Sequence, residues 1–193
     1  GQGHSHLSAE IPLAAEPSNG TAGPGPEYPG LLAWPQEALE ERFVELGGRH
    51  FHARVAREQL LGKGVLDYDS MTSLPARLRE ALKTEIPLLG GTCTRRVEAR
   101  DGTIKLLVDF PAHEAGKGGG VETVHIPPLG SKRGQGATLC VSTQIGCPVA
   151  CPFCETGVDG LARNRQPDGI LEQFAQGRAL GELRREVVMG IGE

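Results

Sequence analysis

The sequence lacks the features that mark membrane and secreted proteins. None of its apolar runs approaches the 18 or more residues that a membrane-spanning helix needs. Lysine and arginine are absent from the first 40 residues, so the sequence does not open with the basic and then apolar pattern of a signal peptide. These absences favour a cytoplasmic protein that does not associate with a membrane.

The excess of negative charge is confined to the beginning of the sequence. The formal net charge is −4, and five of the acidic residues lie among the first 40, where no basic residue balances them. The other 153 residues carry 20 basic and 19 acidic side chains. This balance argues against a polycation that binds nucleic acid through bulk charge alone, but it is compatible with a locally basic surface for RNA.

The first residues of the chain contain little that can build a core. The first 30 include six glycines, five prolines and one tyrosine, and no phenylalanine, tryptophan or valine. Such a segment cannot bury enough apolar surface to offset the entropy lost on ordering. We therefore predict a disordered leader over residues 1–33.

Residues 34–90 show the apolar periodicity of helices. Pro35 suits a first helical turn, and a second helix is predicted from Phe51 to Leu61 with Phe51 facing inward. Ser73 is the predicted N-cap of a third helix. This pattern predicts a helical accessory domain. Its eight basic residues form either ordinary solvated helix faces or a surface that contacts RNA phosphates.

Beyond residue 90 the pattern changes to strands. Asp101-Gly102 separates two alternating segments, which is a strong signal for a two-residue β-hairpin. We predict a β extension over residues 91–135. From residue 136 a strand, a loop, a helix and a second strand follow one another, which is the start of a β-α-β series.

The fold class predicted from these patterns is α/β. It comprises an N-terminal helical domain, a β-hairpin extension and, over residues 136–193, the start of a β-α-β series with a parallel sheet. The series stops after its second strand, and so small a sheet can be neither closed nor covered. We therefore expect the chain to be the N-terminal part of a longer protein.

Three of the five cysteines, Cys147, Cys151 and Cys154, lie within eight residues. In a reducing compartment such clustering indicates metal ligation rather than a disulfide framework. Three thiolates at this spacing can hold three irons of a [4Fe–4S] cluster, which normally has four cysteine ligands, so one iron keeps an open position. Zinc is the alternative, but a structural zinc site needs four ligands, and neither a second CxxC pair nor a nearby histidine follows.

The residues around these cysteines resemble one enzyme family. The segment Ala137-Thr-Leu-Cys-Val-Ser-Thr-Gln-Ile-Gly-Cys147, the following Phe153-Cys154-Glu-Thr-Gly and the pair Arg163-Asn164 are similar to the radical S-adenosylmethionine (SAM) RNA adenine-C2 methyltransferases. The resemblance extends over about residues 38–193 and includes Asp101-Gly-Thr-Ile-Lys and Val121-Glu-Thr-Val-His-Ile-Pro. Glu155 and Arg165 depart from the family pattern, which indicates a divergent member.

The resemblance implies that residues 136–193 form the first part of a radical SAM partial (β/α) barrel. It also implies a role for each candidate site residue. Cys147, Cys151 and Cys154 would bind the [4Fe–4S] cluster, and Gly192 and Glu193 would bind SAM. Two further residues are assigned to release of the methylated RNA. They are Glu122, as the base that removes the adenine C2 proton, and Cys140, as the resolving cysteine that displaces the methyl-carrying cysteine. Without the resemblance, a solvent-facing strand residue is the better reading of Glu122, and Cys140 reads as a small core residue.

The implied substrates are an adenosine of 23S rRNA and, in some members, one of tRNA. The implied partners also include an electron donor such as flavodoxin, and we expect a monomer. In the family the methyl-carrying cysteine lies farther along than residue 193, so this chain alone is expected to be inactive. Two alternatives stay open at this point: a related antibiotic-resistance enzyme that methylates C8, and an inactive paralogue that only binds a cluster and RNA.

Overall fold

The computed structural model describes residues 30–111, 119–128, 136–149 and 151–188. Within these ranges three helices come first, and a sheet with a fourth helix follows. The α-helices are α1 (Gln36–Glu45), α2 (His50–Lys63), α3 (Ala76–Glu85) and α4 (Pro167–Leu180). The strands are β1 (Thr92–Glu98), β2 (Ile104–Phe110), β3 (Gly119–Ile126), β4 (Ala137–Val141), β5 (Gln144–Gly146), β6 (Leu161–Asn164) and β7 (Leu183–Val188).

The first three helices form one module with its own apolar core. Its fully buried side chains recur at helical spacing, as in Ala53, Ala56 and Leu60 of α2. The core cluster also includes Ala175 of α4. The module therefore packs against the helix of the β-α-β unit. The buried members of this cluster are Leu31, Leu39, Phe43, Ala53, Ala56, Leu60, Tyr68, Met71, Leu74, Leu78, Leu82, Ile86, Leu88 and Ala175.

Two predictions about this module are wrong at the level of single residues. Phe51 is 47% exposed rather than inward, because the buried stripe of α2 begins one position later, at His52 and Ala53. Ser73 does not cap α3, which begins after Pro75. A residue before proline is disfavoured in the helical region, so the helix starts only beyond it. The Ser73 Oγ instead accepts a hydrogen bond from Gln59 Nε2 at 2.7 Å.

The end of the predicted leader also needs correction. Leu31–Ala33 forms a 3₁₀ turn, and Leu31 is fully buried in the helical core. The Leu31 N–H donates to the Leu88 carbonyl at 3.4 Å. This single leucine is held because a pocket between the helices is available to it, which local composition does not reveal. The rest of the predicted leader, residues 1–29, lies outside the described residues.

The main sheet has the strand order β1-β2-β3-β4-β7. The first four strands are antiparallel, and β4 pairs in parallel with β7 through the crossover helix α4. This confirms the predicted α/β fold and β-α-β unit. The hairpin predicted at Asp101-Gly102 joins β1 to β2, where Gly102 takes a φ of +82° and Asp101 Oδ1 accepts the Thr103 N–H at 2.9 Å.

Helix α4 contacts both layers of the molecule. On one side, a Cβ added at Gly64, the C-cap of α2, would lie 2.4 Å from the Ala179 nitrogen of α4. On the other side, a Cβ at Gly177 would lie 2.4 Å from Leu139 Cδ1 of β4. Glycine at both positions therefore lets α4 approach the helical module and the sheet closely.

Two phenylalanines provide a matched test of this core. Phe43 is fully buried and Phe51 is 47% exposed, and both lie in helices of the same module. We expect Phe43→Ala to lower the free energy of unfolding by about 3–5 kcal/mol, because it leaves a cavity. Phe51→Ala should change it by less than about 1 kcal/mol. Urea unfolding followed by circular dichroism measures both, and similar losses would contradict the described packing.

Candidate cofactor and catalytic site

Glu122 and Cys140 lie on the same face of the main sheet. Cys140 of β4 is paired directly with Val124 of β3, and Glu122 is two residues from Val124 on the same strand. Directly paired residues share a face, and so do residues two apart on one strand. The two candidate side chains are therefore diagonal neighbours, with Cα atoms about 7–8 Å apart as such neighbours are in antiparallel sheets.

This face is the one that α4 does not cover. The alternate residues, including Val121, Thr123, Leu139 and Val141, are buried on the side of α4. Glu122 is exposed and Cys140 is half-buried. Both candidates are therefore accessible to a substrate, and neither is needed to fill the core between the sheet and α4.

The Glu122 carboxylate has one described cationic partner. Lys105 Nζ of β2 lies 2.9 Å from Glu122 Oε1, and both side chains are about half-exposed, at 50% and 48%. An ion pair this exposed contributes little to stability, typically less than about 1 kcal/mol. Its consequence is mainly positional, because the ammonium group favours one orientation of the carboxylate on the open face.

The three clustered cysteines follow β4 on a loop that the β5–β6 pair closes. Cys147 comes directly after β5, and its N–H donates to the Gly160 carbonyl at 3.1 Å. Gly146 precedes it with a φ of +74°, and a Cβ there would lie 2.0 Å from the Gly160 oxygen. Glycine is thus required where the loop begins. Neither β5 nor β6 was predicted from the sequence.

The donor set of this loop fits an iron–sulfur cluster. All five cysteines of the chain are described, and no disulfide joins them. Cys147, Cys151 and Cys154 are each half-buried, and the Cys154 N–H donates to the Cys151 carbonyl at 3.0 Å, which keeps two of the thiols on one turn. Thiolates are the ligands of such clusters, so the residues present suit the group that the resemblance implies.

Among the described residues, the side chains of the three loop cysteines do not meet at one point. In the part of the chain that the structure describes, no group of three or more histidine, cysteine, aspartate or glutamate side chains is gathered to hold a metal ion. Phe153, between two of the cysteines, is 91% exposed, so the tip of the loop faces solvent.

Other sequence candidates have less support from the structure. Gly192 and Glu193, predicted to bind SAM, lie outside the described residues. Cys93 is half-buried on β1, where burial raises the pKa of its thiol, in keeping with a structural role. Three of the eight basic residues of the helical module are engaged with acids: Arg42 pairs with Glu45 and Glu85, Arg54 with Glu40, and Lys83 with Asp69 and Glu80.

Three basic side chains of the module are better placed to contact phosphates. Arg49, Lys63 and Arg77 are exposed, and within the described ranges no carboxylate forms an ion pair with them. Arg57 is different, because its guanidinium donates to Gln36 Oε1 at 2.6 Å and to the Trp34 carbonyl. It therefore ties α2 to the start of the module rather than facing a ligand.

Two buried polar residues of α4 were missed by the sequence reasoning. Gln173 is fully buried against the sheet, and the buried Glu172 accepts the Gly90 N–H at 2.5 Å and the Gly91 N–H at 2.8 Å. A signal was present, since Gly169, Gln173 and Gly177 recur at i, i+4 and i+8. Small residues on either side of a glutamine indicate that this face of the helix approaches another element closely.

Burial raises the pKa of Glu172 to about 7. The two backbone N–H donors and the charge of Arg165 oppose this effect, and the charge of Asp168 adds to it. The carboxyl group joins α4 to the Gly90-Gly91 link between the helical module and β1. Its protonation state is therefore coupled to the packing of the two layers.

Comparison with known proteins agrees with this architecture. The chain is 37% identical over 172 residues to the dual-specificity RNA methyltransferase RlmN of Francisella tularensis subsp. holarctica (strain FTNF002-00 / FTA), covering 84% of this chain and 44% of that protein. The RlmN of Francisella tularensis subsp. novicida (strain U112) gives the same figures. A crystal structure of a radical SAM methyltransferase from Sphaerobacter thermophilus matches with a TM-score of 0.66 and 35% identity, covering 85% of this chain and 47% of that chain.

The described fold is thus similar to part of the fold of a radical SAM methyltransferase. Over the portion that it matches, the chain is similar to RlmN-type RNA methyltransferases, which confirms the resemblance seen in the sequence. The chain spans less than half the length of these curated relatives. No family model matches it. Among the helices of the described ranges, none is both long and apolar enough to cross a membrane.

Glu172 makes the stability of the protein depend on pH. A carboxyl group whose pKa is raised from 4.5 to about 7 on folding stabilises the protein below pH 4.5, and that stability is lost as the pH rises through 7. We expect Glu172→Gln to remove this pH-dependent contribution to stability. Between pH 4.5 and 7.5, the free energy of unfolding of the wild type should fall relative to the variant by about 2–3 kcal/mol. Urea titrations across this range measure it, and a difference that does not vary with pH would contradict it.

Proposed function

We propose that this chain is part of a radical SAM enzyme that methylates C2 of an adenosine in RNA, with 23S rRNA and tRNA as substrates. The observation that carries the proposal is the shared open face of Glu122 and Cys140, which leads directly into the cysteine loop. Cys140 lies on β4, and Cys147 follows seven residues later. The residues that we propose for cofactor binding and for product release thus lie on neighbouring elements.

In this proposal Cys147, Cys151 and Cys154 hold a [4Fe–4S] cluster and leave one iron open for SAM. When bound, the cluster would supply the electron that cleaves SAM. Such cofactor chemistry is needed because the adenine C2–H is neither acidic nor nucleophilic. Gly192 and Glu193 complete the SAM contacts in the proposal. The protein orients these groups and excludes competing reactions.

Two residues on the open face of the sheet would release the product. Glu122 removes the proton from C2 of the adenine, and Lys105 keeps the carboxylate turned to that side. Cys140 attacks the sulfur of the methyl-carrying cysteine, which belongs to the remainder of the enzyme. A disulfide forms as the bond from that sulfur to the transferred carbon breaks, and the carbon keeps the electron pair and takes up a proton. The exposure of Glu122 and the partial exposure of Cys140 support both roles, since each must reach a group outside this chain.

The RNA would be held by the helical domain over residues 34–90. The exposed Arg49, Lys63 and Arg77 are the phosphate contacts that we propose, and such contacts set register without reading sequence. The target adenosine would leave its stack to enter the site. An electron donor of the flavodoxin type and a cytoplasmic, monomeric enzyme complete the proposal.

Cluster binding can be tested on the 193-residue chain. We expect anaerobic reconstitution with iron and sulfide to give the visible absorbance of a [4Fe–4S] cluster with about four irons per chain. Alanine at Cys147, Cys151 or Cys154 should abolish it. Cys93→Ala is the matched control and should retain it, because Cys93 lies on β1 outside the loop. Zinc bound in place of iron, or loss of the cluster in the Cys93 variant alone, would refute the assignment.

Activity requires the rest of the enzyme. We would replace the matching portion of the Francisella relative with residues 30–188 and express the chimera in cells that lack their own methyltransferase. Mass spectrometry should then detect 2-methyladenosine in 23S rRNA. Glu122→Gln should lower its rate of formation by about 10²-fold or more, as loss of a general base does, and Cys140→Ala should abolish turnover.

The same experiment separates the alternatives. A methyl group at C8 would assign the chain to the antibiotic-resistance type of enzyme. A soluble chimera that binds the cluster but leaves the RNA unmodified would favour an inactive paralogue. A Glu122→Gln chimera as active as the wild type would remove this residue from the mechanism.

A further inference from the structure

One amide group lies where α4, β3 and the beginning of the cysteine loop meet. Gln173 Oε1 accepts the Ser142 N–H at 2.9 Å, and Gln173 Nε2 donates to the Ser142 carbonyl at 2.8 Å. Ser142 is the first residue after β4. A single side chain thus holds both backbone groups of the residue from which the loop departs.

The Gln173 amide uses its full hydrogen-bonding capacity. Its oxygen also accepts the Thr123 Oγ1–H at 2.8 Å, and its nitrogen also donates to the Gly169 carbonyl at 3.3 Å. A primary amide offers two donors and accepts two hydrogen bonds, so all four positions are filled. Because the group is fully buried, this complete pairing fixes its orientation.

The same network reaches the strand that carries the proposed base. The Ser142 hydroxyl donates to the Glu122 carbonyl at 2.7 Å, and Thr123, the next residue on β3, is bonded to Gln173. The backbone at Glu122 and the start of the cysteine loop are therefore fixed relative to each other through Gln173 and Ser142. Nothing in the apolar packing of α4 would enforce that relation.

We propose that Gln173 is a positioning residue that sets the cysteine loop relative to Glu122. The inference rests on the proposed function, because it concerns the loop that would bind the cluster. Gln173 contacts neither the substrate nor the cluster. It acts through Ser142, and its loss should loosen the beginning of the loop while the sheet stays folded.

Gln176 provides a matched control on the same helix. It is also buried, at 4% exposure, but its Nε2 has no hydrogen-bond partner among the described residues. We would compare Gln173→Met with Gln176→Met in the 193-residue chain. Both variants replace a buried amide by an apolar side chain of similar length, and only the first removes contacts to Ser142.

Hydrogen exchange of single amides, followed by NMR, is the first readout. In Gln173→Met the Ser142 amide should exchange about tenfold faster or more, since its acceptor is lost. The amides of Leu139 and Val141 in β4 should keep their protection. Gln176→Met should leave all three unchanged. Equal effects in the two variants, or loss of protection throughout β4, would mean that Gln173 is merely structural.

Iron uptake is the second readout. After reconstitution Gln173→Met should bind less than about half the iron of the wild type, because a loosened loop gathers its thiolates less well, and Gln176→Met should match the wild type. Full uptake by Gln173→Met would overturn the inference while leaving the proposed function intact. A wild type that takes up no cluster would instead refute the proposed function.

A measurement on the wild type covers the case in which Gln173→Met does not fold. With Gln173 in place, the Ser142 amide should exchange at least about 100-fold more slowly than in an unstructured peptide. Exchange at the unstructured rate would overturn the inference without any variant, because the hydrogen bond on which it depends would not persist in solution.

Discussion

The close packing of α4 between the helical module and the main sheet is the constraint on which the rest of the structure depends. Ala175 of α4 belongs to the core of the helical module, and Gly177 approaches Leu139 of the sheet. Helix and sheet are thus parts of one packed body rather than separate units. With one face of the sheet committed to α4, the opposite face is left for chemistry, and both Glu122 and Cys140 lie on it.

Much of the fold could be predicted because its signals are local. The hairpin at Asp101-Gly102 depends on two residues and the strands beside them, and the β-α-β unit depends on periodicity within single elements. Leu31 was mispredicted because its burial depends on helices that come later in the sequence. The short β5 and β6 were missed because their pairing depends on the contact between Gly146 and Gly160, fourteen residues apart.

The candidate site likewise has residues that could be predicted from the sequence and residues that could not. The cysteine motif and Glu122 could be found from residue types and spacing, together with a family resemblance. The buried polar residues that hold these elements in place could not be found in this way, because a glutamine or glutamate on a helix normally faces solvent. Gln173 and Glu172 are buried only because glycines bring α4 against the sheet and the Gly90-Gly91 segment. Such partners become visible only when the tertiary contacts are known.

The buried polar residues of α4 explain why the site has one geometry. Apolar contacts such as that of Gly177 with Leu139 hold a helix on a sheet but tolerate small shifts along it. A buried amide with four filled hydrogen-bonding positions does not, because any shift would leave donors or acceptors unpaired in a medium without water. Gln176 shows the contrast, since its Nε2 has no hydrogen-bond partner among the described residues. In our proposal, the geometry of the open face of the sheet therefore depends on polar pairing on the covered face.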